Sequence, residues 1–178
     1  GHQLLLHLTI QEKTHEALAA LYPDPPASEA EPDDAEDGEK QPDPRGNGII
    51  EQDYHARGFH LDAQIEPDQL IEAVGILFDL GYYLEAITGV DWIKDEQLEV
   101  VYDFSRYDFD LCRTVIRTRV DRSAPHLPTI TPIYTGASWH ERESHDFFGI
   151  VFDGHPHLVP LLLPEDADFH PLLKDFEA

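Results

Sequence analysis

His140, His145, His155, His157 and His170 stand near Glu141, Glu143 and Asp146 in the sequence. This mixture of imidazole and carboxylate donors suits zinc and other first-row transition metals. Their spacing argues against one shared ion. The metalloprotease arrangement puts two histidines four residues apart on one helical face, whereas His140 and His145 are five apart and diverge by about 140° around an α-helix. His155 and His157 flank Pro156, which breaks any simple local geometry. Glu141 and Glu143 point in different directions on a helix, so they make a poor acid/base pair. Ser144 and His145 are sequence neighbours, which does not by itself create a nucleophile and its base. A standalone metal-binding hydrolase therefore has little positional support.

A charged helix accounts for the same residues more simply. Glu141 and His145 are four apart, as are Arg142 and Asp146, and each pair is expected to meet across one turn. Phe147, Phe148 and Ile150 supply apolar anchors, and Gly149 permits a helix end or a close backbone approach. Glu143 has no such pairing, which leaves it to solvent or to a partner's arginine or amides. Downstream, Pro156, Pro160, Pro164 and Pro171 alternate with Leu158, Leu161, Leu162, Leu163, Phe169, Leu172, Leu173 and Phe176. Proline limits the freedom lost on docking and prevents a long helix, so this tail should lie as a strap over a preformed surface. That surface is either the chain's own domain or another protein.

The elements that must position this segment are legible upstream. Gln11 to Tyr22 carries Leu18, Leu21 and Tyr22 with several alanines and predicts a short helix. The preceding Leu4 to Ile10 fits either a helical extension or a strand. Phe59 and Leu61 begin an extended segment, and Pro67 opens a helix to Leu80 whose buried stripe is expected to be Leu70, Ile71, Val74, Leu77 and Phe78. Tyr82 to Thr88 predicts a strand ending in a turn around Gly89. The alternation of Leu98, Val100, Tyr102 and Phe104 predicts a second strand, and Leu111 to Val120 a third, with Arg113, Arg117 and Arg119 along its outer face. That basic row either offsets neighbouring acids or meets an acidic partner. The expected fold is α/β: a two-layer domain with helices packed on a mixed, mostly antiparallel sheet, followed by an extended C-terminal tail. The expected division is a core over residues 1–138 and a signature helix with partner-binding tail over 139–178.

Composition limits the rest. Residues 23–45 hold six prolines, nine acids and two bases, too little apolar surface to offset backbone ordering of about 1–2 kcal/mol per residue; a mobile acidic excursion is expected. The chain carries 36 acids against 12 bases, a net charge of -24, which disfavours free binding to nucleic acid or an anionic membrane. No apolar run reaches the roughly 20 residues of a membrane span, and the start of the chain lacks a signal-like block. Gly1-His2 without an initiator methionine reads as the trace of a purification tag. The lone Cys112 excludes an internal disulfide and a four-cysteine iron–sulfur site in this chain, and fits a reducing compartment.

Glu141-Arg142-Glu143 followed two residues later by Asp146-Phe147-Phe148-Gly149 resembles the signature of the 30-kilodalton subunit family of respiratory complex I, the NADH-quinone oxidoreductase. Gly154-His155-Pro156, Leu162-Leu163-Pro164-Glu165-Asp166, His170-Pro171-Leu172 and Lys174-Asp175-Phe176 extend the likeness, as do Ile87-Thr88-Gly89-Val90-Asp91-Trp92 and Glu99-Val100-Val101-Tyr102. It covers about Leu70 to Phe176. The family often has basic residues where this chain has Val159-Pro160, and residues 23–45 lie outside the recognisable core. Related domains occur in membrane-bound nickel–iron hydrogenases and formate-hydrogen-lyase-type complexes.

The resemblance implies a noncatalytic peripheral-arm subunit that scaffolds the quinone-side module, on the cytoplasmic side of the inner membrane, touching the membrane only through the complex. It implies a C-terminal segment packed along a 49-kilodalton-type subunit beside other peripheral-arm subunits. No cofactor is expected in this chain, with FMN and iron–sulfur clusters carried elsewhere in the assembly. Glu141, Arg142, Glu143, Asp146, Phe147, Phe148, Gly149, His155 and Pro156 are expected to be structural or interface residues. Pro164, Glu165, Asp166, Lys174, Asp175 and Phe176 are expected to align the tail.

Overall fold

The computed structural model describes residues 8–22, 46–107, 111–158, 163 and 169–176. The acidic excursion, Leu4 to Leu6, Leu161, Leu162 and the Pro164–Asp166 block fall outside the described residues. Thr9 opens α1 (Ile10–Ala19) through a capping box: its hydroxyl accepts from the Glu12 amide while the Glu12 carboxylate accepts from the Thr9 amide. Ile10 thus belongs to the helix. Leu21 and Tyr22 lie beyond its last turn, where the Gln69 side-chain amide donates to Leu21 O and the Tyr22 hydroxyl to Gln64 O.

Five strands form one sheet in the order β1-β2-β5-β4-β3: β1 (Gly48–Glu51), β2 (Leu61–Ile65), β3 (Tyr83–Trp92), β4 (Gln97–Arg106) and β5 (Cys112–Asp121). Within this sheet only the β2–β5 pair is parallel, so the mixed, mostly antiparallel sheet is as expected. The short α2 (Tyr54–Arg57) joins β1 to β2, capped by the Asp53 side chain and ended by Gly58 at φ 79°. Pro67–Gln69 is a 3-10 turn leading into α3 (Leu70–Asp79). In α3 the buried stripe is Leu70, Ala73, Val74 and Leu77, whereas Ile71 and Phe78 are 42% and 53% exposed. The reason is angular: the i, i+3, i+4, i+7 set shares one face, and Ile71 and Phe78 sit at its edge.

The predicted turn at Gly89 is not a turn. β3 runs through Gly89 to Trp92, paired with β4 throughout apart from one bulge between Leu84 and Ala86, and the chain reverses at Ile93–Asp95 with Glu96 in the left-handed region at φ 54°. Glycine is needed at position 89 for contact instead: a Cβ there would lie 2.7 Å from the ring of Phe148.

Leu98, Val100, Tyr102 and Phe104 of β4 and Cys112, Thr114, Ile116 and Thr118 of β5 are buried and share the helix-covered core. On the other face Arg117 bridges Asp62 at 2.7 Å and Glu99 at 3.1 Å, and Arg119 reaches Glu99 at 3.2 Å while lying over the Trp92 ring. Arg113 donates to Ser105 Oγ. Arg117 and Arg119 are thus offset by acids of their own sheet, as in the first of the two readings, while Arg113 meets a hydroxyl. Beyond β5, β6 (His126–Pro128) and β7 (Val151–Asp153) pair in parallel around α4 (Ala137–Phe148). Ala137, Ile150 and Phe152 join the same core as the five-stranded sheet.

Candidate protein interface

α4 lies on β3. Phe148 packs over Gly89, and the Ser144 hydroxyl donates to Ile87 O at 3.4 Å. Gly149 ends the helix at φ 77°, where its amide donates to His145 O. A Cβ at Gly149 would lie 2.9 Å from the His170 ring, so this glycine serves both the left-handed backbone and the close approach of the tail.

Glu141 does not pair with His145. Its side chain is fully buried and turns to the segment before α4, accepting from the Thr129 hydroxyl at 2.7 and 2.8 Å and from the Ile130 amide at 2.9 Å. Burial pushes its pKa up to about 7, against the lowering effect of those two donors. His145 instead donates from Nδ1 to Ile150 O, tying the helix end to the start of β7. Asp146 is buried, and its carboxylate accepts from the Leu163 amide at 3.4 Å. Arg142 and Glu143 sit half-buried on the outer side of the helix, and Trp139 is 55% exposed. His155 accepts at Nδ1 from the His157 amide, which leaves the Nε2 proton for Ser138 O at 3.2 Å; Pro156 is exposed.

The described end of the tail is fastened to this surface. His170 Nδ1 donates to Asp146 O, the Leu172 amide to Phe147 O and the Lys174 amide to the Asp91 carboxylate, at 2.9, 3.0 and 2.7 Å. Arg122 forks between two acids, holding Asp91 through Nε and Nη2 at 2.8 and 3.0 Å and Asp175 through Nη1 and Nη2 at 3.2 and 2.6 Å. The guanidinium pulls the Asp175 pKa below the usual carboxylate range. Leu173 packs on the core, while Phe169, Leu172 and Phe176 face outward with Phe169 and Phe176 in ring contact.

Asp91, Arg122 and Thr129 carry these joints, and sequence reasoning assigned them no role. Asp91 left one signal: it follows Ile87 and Gly89 on the inward-facing alternation of β3, where an acid must find a partner. Among the described residues no three His, Cys, Asp or Glu side chains gather to hold a metal ion. His145 and His170 approach to 6.4 Å between ring centres, each using Nδ1 on a carbonyl.

Residues 63–178 match the family described as respiratory-chain NADH dehydrogenase, 30 Kd subunit. The NADH-quinone oxidoreductase C-type subunit of Roseiflexus sp. (strain RS-1) is 37% identical over 120 residues, which cover 65% of this chain and 68% of that protein. Among solved structures, a chain of an archaeal membrane-bound sulfane sulfur reductase superposes with a TM-score of 0.60 at 28% identity, covering 66% of this chain and 71% of that one. A trypsin-resistant fragment of Nqo5 superposes with a TM-score of 0.55 at 30% identity, covering 63% and 89%. With the signature helix, its glycine-dependent seat on β3 and the family match over residues 63–178, the protein belongs to the 30-kilodalton subunit family of the respiratory-chain NADH dehydrogenase.

Proposed function

We propose that this chain is the 30-kilodalton-type subunit of an NADH-quinone oxidoreductase, a noncatalytic peripheral-arm scaffold whose α4 and tail join it to a large neighbouring subunit of the 49-kilodalton type. The observation that carries the reading is the outward set Phe169, Leu172 and Phe176, 41%, 53% and 38% exposed on a segment whose backbone is already fastened. A tail ordered only for its own domain would turn such side chains inward; here the fastening presents them to a second surface. Arg142 and Glu143 lie on the outer side of α4 as polar contacts for the same partner. The proposal leaves electron transfer from NADH through FMN and iron–sulfur clusters to quinone to other subunits, and for the clusters the composition agrees, since one cysteine cannot ligate a four-thiolate cluster. No described helix is long and apolar enough to cross a membrane; the proposal assigns membrane association to the assembled complex.

The test is co-expression with the remaining subunits, comparing wild type with Arg142→Ala and with deletion of residues 169–178. Assembly and NADH:quinone reductase activity should fall together. Normal assembly with selective loss of chemistry would overturn the scaffold role. The likeness to the archaeal sulfur reductase chain favours one second reading, the equivalent scaffold in a related membrane complex such as a nickel–iron hydrogenase. A co-purifying large subunit with nickel-ligating cysteine pairs would select it.

A further inference from the structure

Five carboxylates are buried among the described residues: Asp62, Asp91, Glu99, Glu141 and Asp146. Asp62, Asp91 and Glu99 are held by arginines, and Asp146 accepts from Leu163. Unlike the three held by arginines, Glu141 has only neutral hydrogen-bond donors, one amide and one hydroxyl that meets both of its oxygens. The titratable groups on surrounding elements do not neutralise it. Tyr102 of β4 is fully buried, with its hydroxyl unpartnered among the described residues. His145, a turn along α4, is engaged with Ile150 O, and Asp153 of β7 pairs with His126 at the surface. His140, Arg142 and Glu143 flank Glu141 on α4 but are partly solvated, whereas Glu141 is buried. Asp91 on β3 is committed to Arg122. Burial without a cation shifts such a carboxylate toward its protonated form relative to an exposed one.

A route for that proton is present. Thr129 Oγ1 touches both carboxyl oxygens and lies 2.9 Å from Thr131 Oγ1, and Thr131 is half-buried. We propose that Glu141 is a proton-binding site inside the signature helix, filled and emptied through the Thr131–Thr129 hydroxyl chain, beneath the outer side that carries Arg142 and Glu143. In the charged form Thr129 donates to the carboxylate and accepts from Thr131. On uptake, a solvent hydronium gives one proton to Thr131 Oγ1 and leaves as water, Thr131 passes its own to Thr129, and Thr129 passes its own to Glu141. The neutral carboxyl then donates to Thr129, whose hydroxyl points to Thr131. One solvent proton is consumed and every hydroxyl is restored. The Ile130 amide donates to Oε1 in both states, so the segment before α4 stays attached while the charge beneath the helix changes.

The full chain, with carbon-13-labelled glutamate, is titrated by infrared or NMR spectroscopy beside Glu141→Gln. One carboxyl should titrate near the value of about 7 that burial imposes and be missing from the variant. Thr129→Val, which removes a donor to the charged form, should move that midpoint further up. Thr131→Val should leave the midpoint in place and slow hydrogen–deuterium exchange of the carboxyl severalfold. A Glu141 midpoint in the ordinary carboxylate range overturns the site, and unchanged exchange in Thr131→Val overturns the route. Unfolding curves give a second readout that needs no label. Between the unfolded value of 4.5 and the folded value of about 7 the native chain holds the extra proton, so stability falls as pH rises through that window. Glu141→Gln should remove this part of the slope, and an unchanged slope counts against the site.

Discussion

At the scale of single residues, the joint of Asp91, Arg122 and Asp175 separates two effects that a list of ion pairs would merge. Asp91 is 3% exposed, and its two oxygens take the Arg122 fork and the Lys174 amide. Removing the guanidinium leaves a buried charge with one amide for company, an error that costs about 3 kcal/mol in comparable pairs. Asp175 stands in solvent on the far side of the same guanidinium, where water replaces most of what is lost. Arg122→Ala should therefore shift the urea midpoint strongly and open the tail to protease, and Arg122→Lys should rescue it poorly because an ammonium cannot reproduce the fork. Asp175→Asn should leave the midpoint nearly in place. Equal effects of Arg122→Ala and Asp175→Asn would show that the joint is a surface pair and no more.

Between elements, the seat of α4 on β3 depends on an absent side chain. With Phe148 ring atoms 2.7 Å from where a Gly89 Cβ would stand, Gly89→Ala must push the helix or the strand, at about 1–3 kcal/mol. Gly89→Ala should lower the melting temperature, and pairing it with Phe148→Leu should recover part of the loss; a neutral Gly89→Ala would mean that the helix does not rest there. This contact also marks where the sequence stopped being legible. Local periodicity carried β3, β4, β5 and most of the α3 stripe, because alternation and the 3.6-residue stripe are set by near neighbours, whereas the short edge strand β1 has too few residues to show a period. Gly89 looked like a turn because the residue type reports a missing Cβ and not the reason for it. Glu141 was matched to His145 because helical spacing is visible and Thr129, which lies before the helix, is not. The Arg122 fork escaped for the same reason, its acids lying 31 and 53 residues away. The interface roles expected for the signature helix and tail came from family resemblance, beside the local proline–leucine pattern that marked the tail as a strap.

Across the whole molecule, burial and charge divide the surface between what folds this chain and what remains to meet another. The core takes Leu173 from the tail and leaves Leu172 and Phe169 outside, so replacing those two removes little that the isolated fold uses; exposed positions of this kind stay within about 0.5 kcal/mol. In an assembly the same side chains would lie at the centre of a contact, where truncating an aromatic anchor is expensive. The double substitution Phe169→Ser, Leu172→Ser should accordingly leave the unfolding transition of the isolated chain unchanged and abolish its co-purification with the large subunit. Net charge adds a condition to that measurement. A chain at -24 is drawn to a basic surface and repelled by an acidic one through a field that salt screens, so the direction in which ionic strength changes the wild-type association rate reads the sign of the partner's facing surface, while its dissociation should change little. The double substitution should raise the dissociation rate at every salt concentration. Loss of association rate alone in the variant would mean that the outward face steers the encounter without forming the lasting contact.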